Sequence, residues 1–375
     1  MKGREESWQD WQIALAVTAA LRLFYSGFAA ALSFFLHPDP SLIRSNALTE
    51  NLAAPGSWHY AWLGVWERFD TLWYLRIAQR GYDLPMSAFI YPLYPAMIRL
   101  VSWVMPATGA ALLVATIAAF FFFWGLLRLA DAELAAAGKV RMLLIVCVWP
   151  TSFILFTAYA EPLTLALIVW AVVFGREERW WSATACGILA GLSRPSGVLV
   201  SVVLVVLALR RRRVESLVVV LTPLGTLAYW GWLHETGRLS VVEVYRQYQG
   251  MALAPPWASL EQALRLIIHD HDHDGLLAIK LGLMILVVVL SLQRAVRLED
   301  RLFALAVVLQ ILLYTGARPM AGAARYLMVA YPTFVVLGKY AEQKLSARQF
   351  GFYVSTCGLL NLVWMWSFLE WSLSF

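Results

Sequence analysis

The chain has 375 residues, 61% of them hydrophobic and 14% charged, with a mean hydropathy of +0.65. No soluble domain of this length tolerates that balance, so the sequence reads as an integral membrane protein. The net charge of +6 does not argue for a nucleic-acid partner, because Lys and Arg fall in short blocks between apolar runs rather than along one polar face.

Glu5, Glu6 and Asp10 precede an apolar run from Ile13 to Leu36. It is too long for a signal-peptide core and lacks a small-residue cleavage site, so it is expected to stay as an anchor. A span needs about 20 apolar residues. Ala107 to Leu129, Val140 to Tyr159, Val214 to Leu233, Gly275 to Gln293 and Phe350 to Glu370 come near that length. Shorter runs occupy Glu161 to Gly175, Arg179 to Ser193, Ser196 to Arg210, Arg301 to Gly316 and Tyr326 to Ala341, divided by charges or by Pro and Gly. The expected architecture is one all-α, polytopic transmembrane domain over residues 1–375 with about eleven spans.

With the N-terminus inside, the basic blocks agree with the positive-inside rule. Arg128 with Lys139 and Arg141, Arg176 with Arg179, Arg210 to Arg213, Arg294 with Arg297 and Arg301, and Lys339 with Lys344 and Arg348 all fall on the cytoplasmic side. A cytoplasmic stop explains Arg210 to Arg213 without an anionic-lipid patch. The agreement requires that Ala88 to Met105, interrupted by Pro92, Pro95 and Arg99, does not cross the bilayer, so a re-entrant or surface-lying helix is expected there. Two long loops then face outside, residues 37–106 and 234–274, together with the turns at Glu161, Arg194 and Arg318 to Arg325. Cys147, Cys186 and Cys357 lie inside apolar segments without metal-ligand spacing.

In the first outer loop, Trp66, Phe69, Trp73, Tyr74 and Ile77 recur at helical spacing while Arg68, Arg76 and Arg80 point elsewhere. That pattern describes an amphipathic helix at the interface, either an aromatic belt alone or a platform for Asp70. A carboxylate at that depth is costly unless it is paired or lines a watery cavity, which suits it to proton abstraction. The runs Glu161 to Gly175 and Arg179 to Ser193, at about 1.5 Å per residue, fall short of a hydrocarbon thickness of roughly 30 Å. Glu161 and Arg194 therefore sit below the outer surface, where they pair with each other or line a water-filled cavity.

Phe69-Asp70-x-x-Trp73-Tyr74, Ile77-Ala78-x-x-Gly81-Tyr82 and Tyr91-Pro92-Leu93-Tyr94-Pro95 resemble the first-loop signature of PIG-V-type mannosyltransferases, membrane glycosyltransferases of the GT-C fold. Ala158-Tyr159-Ala160-Glu161-Pro162-Leu163 is similar to that family's Tyr-Ser-Glu-Ser-Leu segment, and Ser193-Arg194-Pro195-Ser196-Gly197 to its Arg-x-Asn-Gly turn. The likeness spans roughly the first 200 residues and continues loosely through Arg325-Tyr326-Leu327 and Tyr331-Pro332. Ala160, Pro162, Pro195-Ser196 and Phe69 depart from the pattern, which bears on substrate identity.

The resemblance implies inverting transfer of a sugar, typically mannose, from a polyprenyl-phosphate donor to a lipid or glycan acceptor hydroxyl on the non-cytoplasmic face. Asp70 is then the general base, placed within about 3 Å of the acceptor proton. Arg194 and Arg325 are candidates for the donor phosphate. Glu161, Trp73, Tyr74, Tyr91 and Tyr94 are candidates to position sugar or acceptor. No cofactor, metal or nucleic acid is expected. His269-Asp270-His271-Asp272-His273-Asp274 has metal-ligand chemistry, but sequence neighbours in one exposed loop are more simply read as solvated. Tyr245, Tyr248, Met251, Pro255, Pro256 and Trp257 in the second long loop could cover the cavity or meet the acceptor. Short loops favour a bacterial plasma membrane.

Two other classes share this hydropathy, a transporter or flippase of lipid-linked sugars and a non-catalytic membrane subunit. The marked features crowd into the first 200 residues with no internal repeat, which favours an enzyme over a transporter.

Overall fold

The computed structural model describes residues 2–37, 39, 41–43, 48, 56–269, 276–316 and 319–372. The chain is nearly all-α, with 77% of it helical. Among the described residues, four helices are long and apolar enough to cross a membrane: Gln9–Leu32, Ala107–Ala130, Val214–Glu235 and Ala347–Leu369. The first of these belongs to α1 (Lys2–Leu32). The expectation of about eleven spans goes beyond these four, because the other helices are shorter, among them the apolar Leu276–Ser291.

The segment expected as the first outer loop contains α2 (Trp58–Trp62), α3 (Asp70–Arg80) and α4 (Leu93–Val101). The helix begins at Asp70 rather than Trp66, because Phe69 adopts φ 46° and ψ −118°, which no helix accommodates. Trp66 instead closes a 3-10 turn, Gly64–Trp66. Within Ala88 to Met105 the helical part is α4, whose 9 residues rise only about 13 Å. That is well short of a bilayer.

α5 (Ala107–Ala130) packs on α7 (Glu161–Arg176), with α8 (Trp180–Ser193) and α9 (Val200–Arg211) completing the core. α7 opens with Glu161 and Pro162 in its first turn and closes with Arg176 in its last. A proline at the start loses no needed N–H, and both charges complement the helix dipole. A Cβ at Gly197 would overlap the Ala190 carbonyl oxygen. This glycine lets the turn after α8 fold back against that helix and fixes where Arg194 points.

The run from Val140 to Tyr159, expected as one span, is broken. α6 (Ala136–Cys147) ends ahead of Pro150, and a 3-10 turn, Ser152–Phe156, follows. Proline cannot supply the amide N–H and keeps the preceding residue out of the helical region. Side chains satisfy the backbone groups this frees: Asn361 Nδ2 donates to the Trp149 carbonyl at 2.9 Å, and Tyr25 Oη donates to Asn361 Oδ1 at 3.0 Å. Irregular backbone inside an apolar bundle is tolerated on that condition. The consequence is positional, since the break carries Tyr159 and Glu161 to the site of Asp70.

The described part of the second long loop consists mainly of regular elements. After α10 (Leu224–Glu235) come α11 (Val241–Tyr248), β1 (Met251–Leu253) and α12 (Pro256–His269). Ser240 and Glu243 form a reciprocal capping box that starts α11. After α13 (Leu276–Ser291) and α14 (Leu298–Leu312), β2 (Tyr314–Gly316) pairs antiparallel with β1, Met251 opposite Gly316. α15 (Ala323–Tyr326), α16 (Pro332–Lys344) and α17 (Ala347–Leu369) follow.

Candidate functional site

A cavity of about 750 Å³ lies between α3, the turn after α8, α10, α11, β1, α14 and α15. Asp70, Tyr74, Tyr91, Arg194 and Arg325 line it.

Asp70 is the first residue of α3, and its side chain is a quarter exposed. Its Oδ2 accepts from Arg325 Nη1 at 2.9 Å, and its backbone N–H donates to Tyr159 Oη at 3.3 Å. No other bond engages Oδ1 among the described residues, so one carboxylate oxygen is held and the other is available.

Glu161 lies behind this pair, 2% exposed. Its Oε1 is 2.8 Å from Arg194 Nη1 and 3.0 Å from Arg325 Nε. The ion pair expected between Glu161 and Arg194 is therefore present, and it extends through Arg325 to Asp70. Arg194 Nη1 also donates to Tyr74 Oη at 3.3 Å. Tyr326 lies against both guanidinia, its ring centroid 5.2 Å from Arg194 and 5.1 Å from Arg325. Two buried cations are thus balanced by two carboxylates and covered by aromatic faces, the condition under which buried charge is tolerated. The position of Glu161 in the first turn of α7 also sets its charge against the positive end of the helix dipole.

The remaining residues separate into two groups. Tyr74 and Tyr91 reach the cavity wall, with Tyr91 Oη accepting from Trp230 Nε1 at 2.9 Å. Trp73 and Tyr94 do not. One position before Tyr74 turns a helical side chain by about 100°, and the Trp73 ring packs on Phe89 at 5.4 Å. Tyr94 is fully buried and donates to the Ala111 carbonyl at 2.9 Å, which is a packing role.

Tyr326, Ser196, Arg238 and Gln310 also line the cavity, and sequence reasoning did not single them out. Tyr326 follows Arg325 directly, which was the one available signal. Ser196 Oγ is buried with no hydrogen-bond partner among the described residues, so it is free to bond a ligand. Arg238 donates to the Tyr82 carbonyl and lies 5.2 Å from the Trp232 ring centroid. From the second long loop, Tyr245 and Met251 cover the cavity. Burial pushes the Tyr245 phenol up from its ordinary value, so it stays a protonated donor at neutral pH. His269 ends α12, while Asp270 to Asp274 lie outside the described residues.

No protein-family model matches the sequence, and no curated protein is similar enough to it to count as a relative.

Proposed function

We propose that the protein is an inverting membrane glycosyltransferase of the GT-C type. It moves a sugar, mannose in the first instance, from a polyprenyl-phosphate donor to an acceptor hydroxyl on the non-cytoplasmic face. The observation that carries this reading is the Asp70 carboxylate at the wall of a roofed cavity, with one oxygen free and two buried arginines beside it. The first-loop motifs around Asp70 resemble those of PIG-V-type mannosyltransferases and supply the substrate class. On this reading the shorter buried helices complete a bundle of about eleven spans, with the N-terminus cytoplasmic in a bacterial plasma membrane.

The acceptor O–H gives its proton to Asp70 Oδ1 as the new bond to the sugar C1 forms. The C1–O bond to phosphate breaks on the opposite face, and polyprenyl phosphate leaves with the bonding electrons. Arg194 and Arg325 take up the charge growing on that phosphate. Both already pair with Glu161, which keeps them fixed and lets them respond without reorganising. The Ser196 hydroxyl and the Tyr245 phenol supply neutral donors for sugar hydroxyls.

Purified protein given radiolabelled polyprenyl-phosphate mannose and a fractionated membrane extract is expected to label an acceptor. The Asp70→Asn form is expected to fold and not to label it. Movement of the intact lipid-linked sugar across proteoliposomes, without transfer, would replace this reading with the flippase.

A further inference from the structure

Asp70 is preceded by two residues whose arrangement no local rule explains. Phe69 holds φ 46° and ψ −118°, a region that favours glycine and that a bulky residue occupies only when its surroundings impose it. It also starts α3 without a side-chain cap. Arg68 is buried at 2% exposure and forms no ion pair with a carboxylate among the described residues. Both are gripped by the far end of α17, 301 positions away in sequence.

The grip has two halves. The Phe69 ring lies against Phe368 and Trp371, centroids 5.7 Å and 5.4 Å away. The Arg68 guanidinium lies 4.8 Å from the Trp371 ring, and its Nε donates to the Leu369 carbonyl at 3.2 Å. That carbonyl belongs to the last turn of α17, where carbonyls lack helical partners and the dipole is negative, so a buried cation is accommodated there. Tyr60 Oη and the Gly64 carbonyl accept from its other nitrogens at 2.6 Å and 3.1 Å. Phe368 also meets the Tyr159 ring at 6.0 Å. Tyr159 in turn accepts from the Asp70 N–H and lies under Arg325.

We propose that Arg68, Phe69, Phe368 and Trp371 form a clamp that holds the strained backbone ahead of Asp70 and so aims its carboxylate into the cavity. They are positioning residues, and the clamp rests on the proposed role of Asp70 only for its catalytic consequence. Without it, Phe69 relaxes to an ordinary conformation and the first turn of α3 rotates, taking Asp70 with it. Displacements of about 1 Å at a reacting group cost rate by up to roughly a hundredfold.

The test begins with geometry. In a background where Cys147, Cys186 and Cys357 are replaced, the thiol of Asp70→Cys is titrated with a water-soluble thiol reagent, and that of Gln310→Cys, on the partly exposed far wall of the cavity, serves as reference. Adding Trp371→Ala is expected to change the labelling rate at position 70 several-fold and leave position 310 unchanged, while Trp371→Phe, which keeps a ring, restores the original rate. If Trp371→Ala does not fold, Trp371→Leu keeps part of the apolar bulk without the ring and must still shift the rate. Unchanged labelling at position 70 in a folded variant overturns the clamp, whatever reaction the protein performs.

With Asp70 intact, Trp371→Ala is expected to lower kcat for sugar transfer with little change in the donor KM. A geometric change without any transfer by the wild type would leave the clamp standing and remove the transferase reading. A raised KM with unchanged kcat would overturn the positioning role.

Discussion

α7 carries a charged network at each end, and the two differ in how completely their carboxylates are committed. At its start, Glu161 joins Arg194 and Arg325, and Arg325 passes on to Asp70, which keeps one oxygen free beside a cavity of about 750 Å³. At its end, about 22 Å away by helical rise, Arg176 Nη2 donates to Asp300 Oδ2 at 2.6 Å, while Tyr331 donates to Asp300 Oδ1. Glu133 there takes Arg297 at 3.2 Å, beside a cavity of about 240 Å³. Both ends satisfy the helix dipole in the same sense. The second network has both Asp300 oxygens occupied and behaves as a knot, whereas the first leaves one Asp70 oxygen facing space. An incomplete pairing, more than the presence of charge, marks the site.

The largest effect that would break this contrast is catalytic. Asp70→Asn removes the base but keeps the volume, so transfer is expected to fall by about 10²-fold or more, measured as labelled acceptor per folded protein. Asp300→Asn is expected to leave that ratio unchanged. Equal losses from the two substitutions would erase the distinction between reactive site and knot.

Next come the buried partners. Glu161→Gln leaves two guanidinia in the interior with one carboxylate between them, and Arg176→Met strands the buried Asp300 without its cation. Each is expected to cost about 3–5 kcal/mol of stability, read by thermal unfolding in detergent. Only Glu161→Gln should also slow transfer in the fraction that remains folded, because only its arginines touch the cavity.

The part of this site that was legible in the sequence is the part that topology controls. Asp70, Glu161, Arg194 and the turn at Arg325 are expected together on one side, and the four do meet in one network. Helical spacing places Tyr74 and Trp73 in one broad aromatic stripe, which does not separate neighbours turned by about 100°, and only Tyr74 reaches the cavity beside Asp70. The start of α3 was misplaced, since Phe69 carries no turn signature and owes its conformation to Phe368 and Trp371. The span drawn from Val140 to Tyr159 ignored Pro150. Its apolar neighbours hid the break, and the residue that makes the break affordable, Asn361, lies more than 200 positions along the chain.

A smaller effect tests the packing that orients Arg194. Gly197→Ala drives a methyl group into the Ala190 carbonyl, and relief by local shift is expected to cost about 1–3 kcal/mol. The same shift moves Arg194 relative to Tyr74 and Glu161, so donor KM should rise. An unchanged melting temperature and KM would mean that the turn after α8 yields without disturbing the site.

The smallest expected effect lies on the outward face of α3, where Arg76 holds Asp83 through both guanidinium donors at 3.0 Å and 2.7 Å. The Arg76 hydrogen bonds keep the Asp83 carboxyl below its ordinary value of 3.8. A carboxyl lowered by folding contributes its stability above the unfolded value and loses it as pH falls through the folded one. Because the pair is solvent-exposed, that contribution is about 0–1 kcal/mol. Asp83→Asn should therefore lower stability slightly at neutral pH and converge with the wild type in acid. Salt sharpens the comparison with the cavity: raising ionic strength to about 1 M shortens screening to roughly 3 Å, which should erase the Asp83→Asn difference. The buried pairs of Glu161 with Arg194 and Arg325 are shielded from that ion atmosphere, so the same salt should leave the stability loss in Glu161→Gln largely in place.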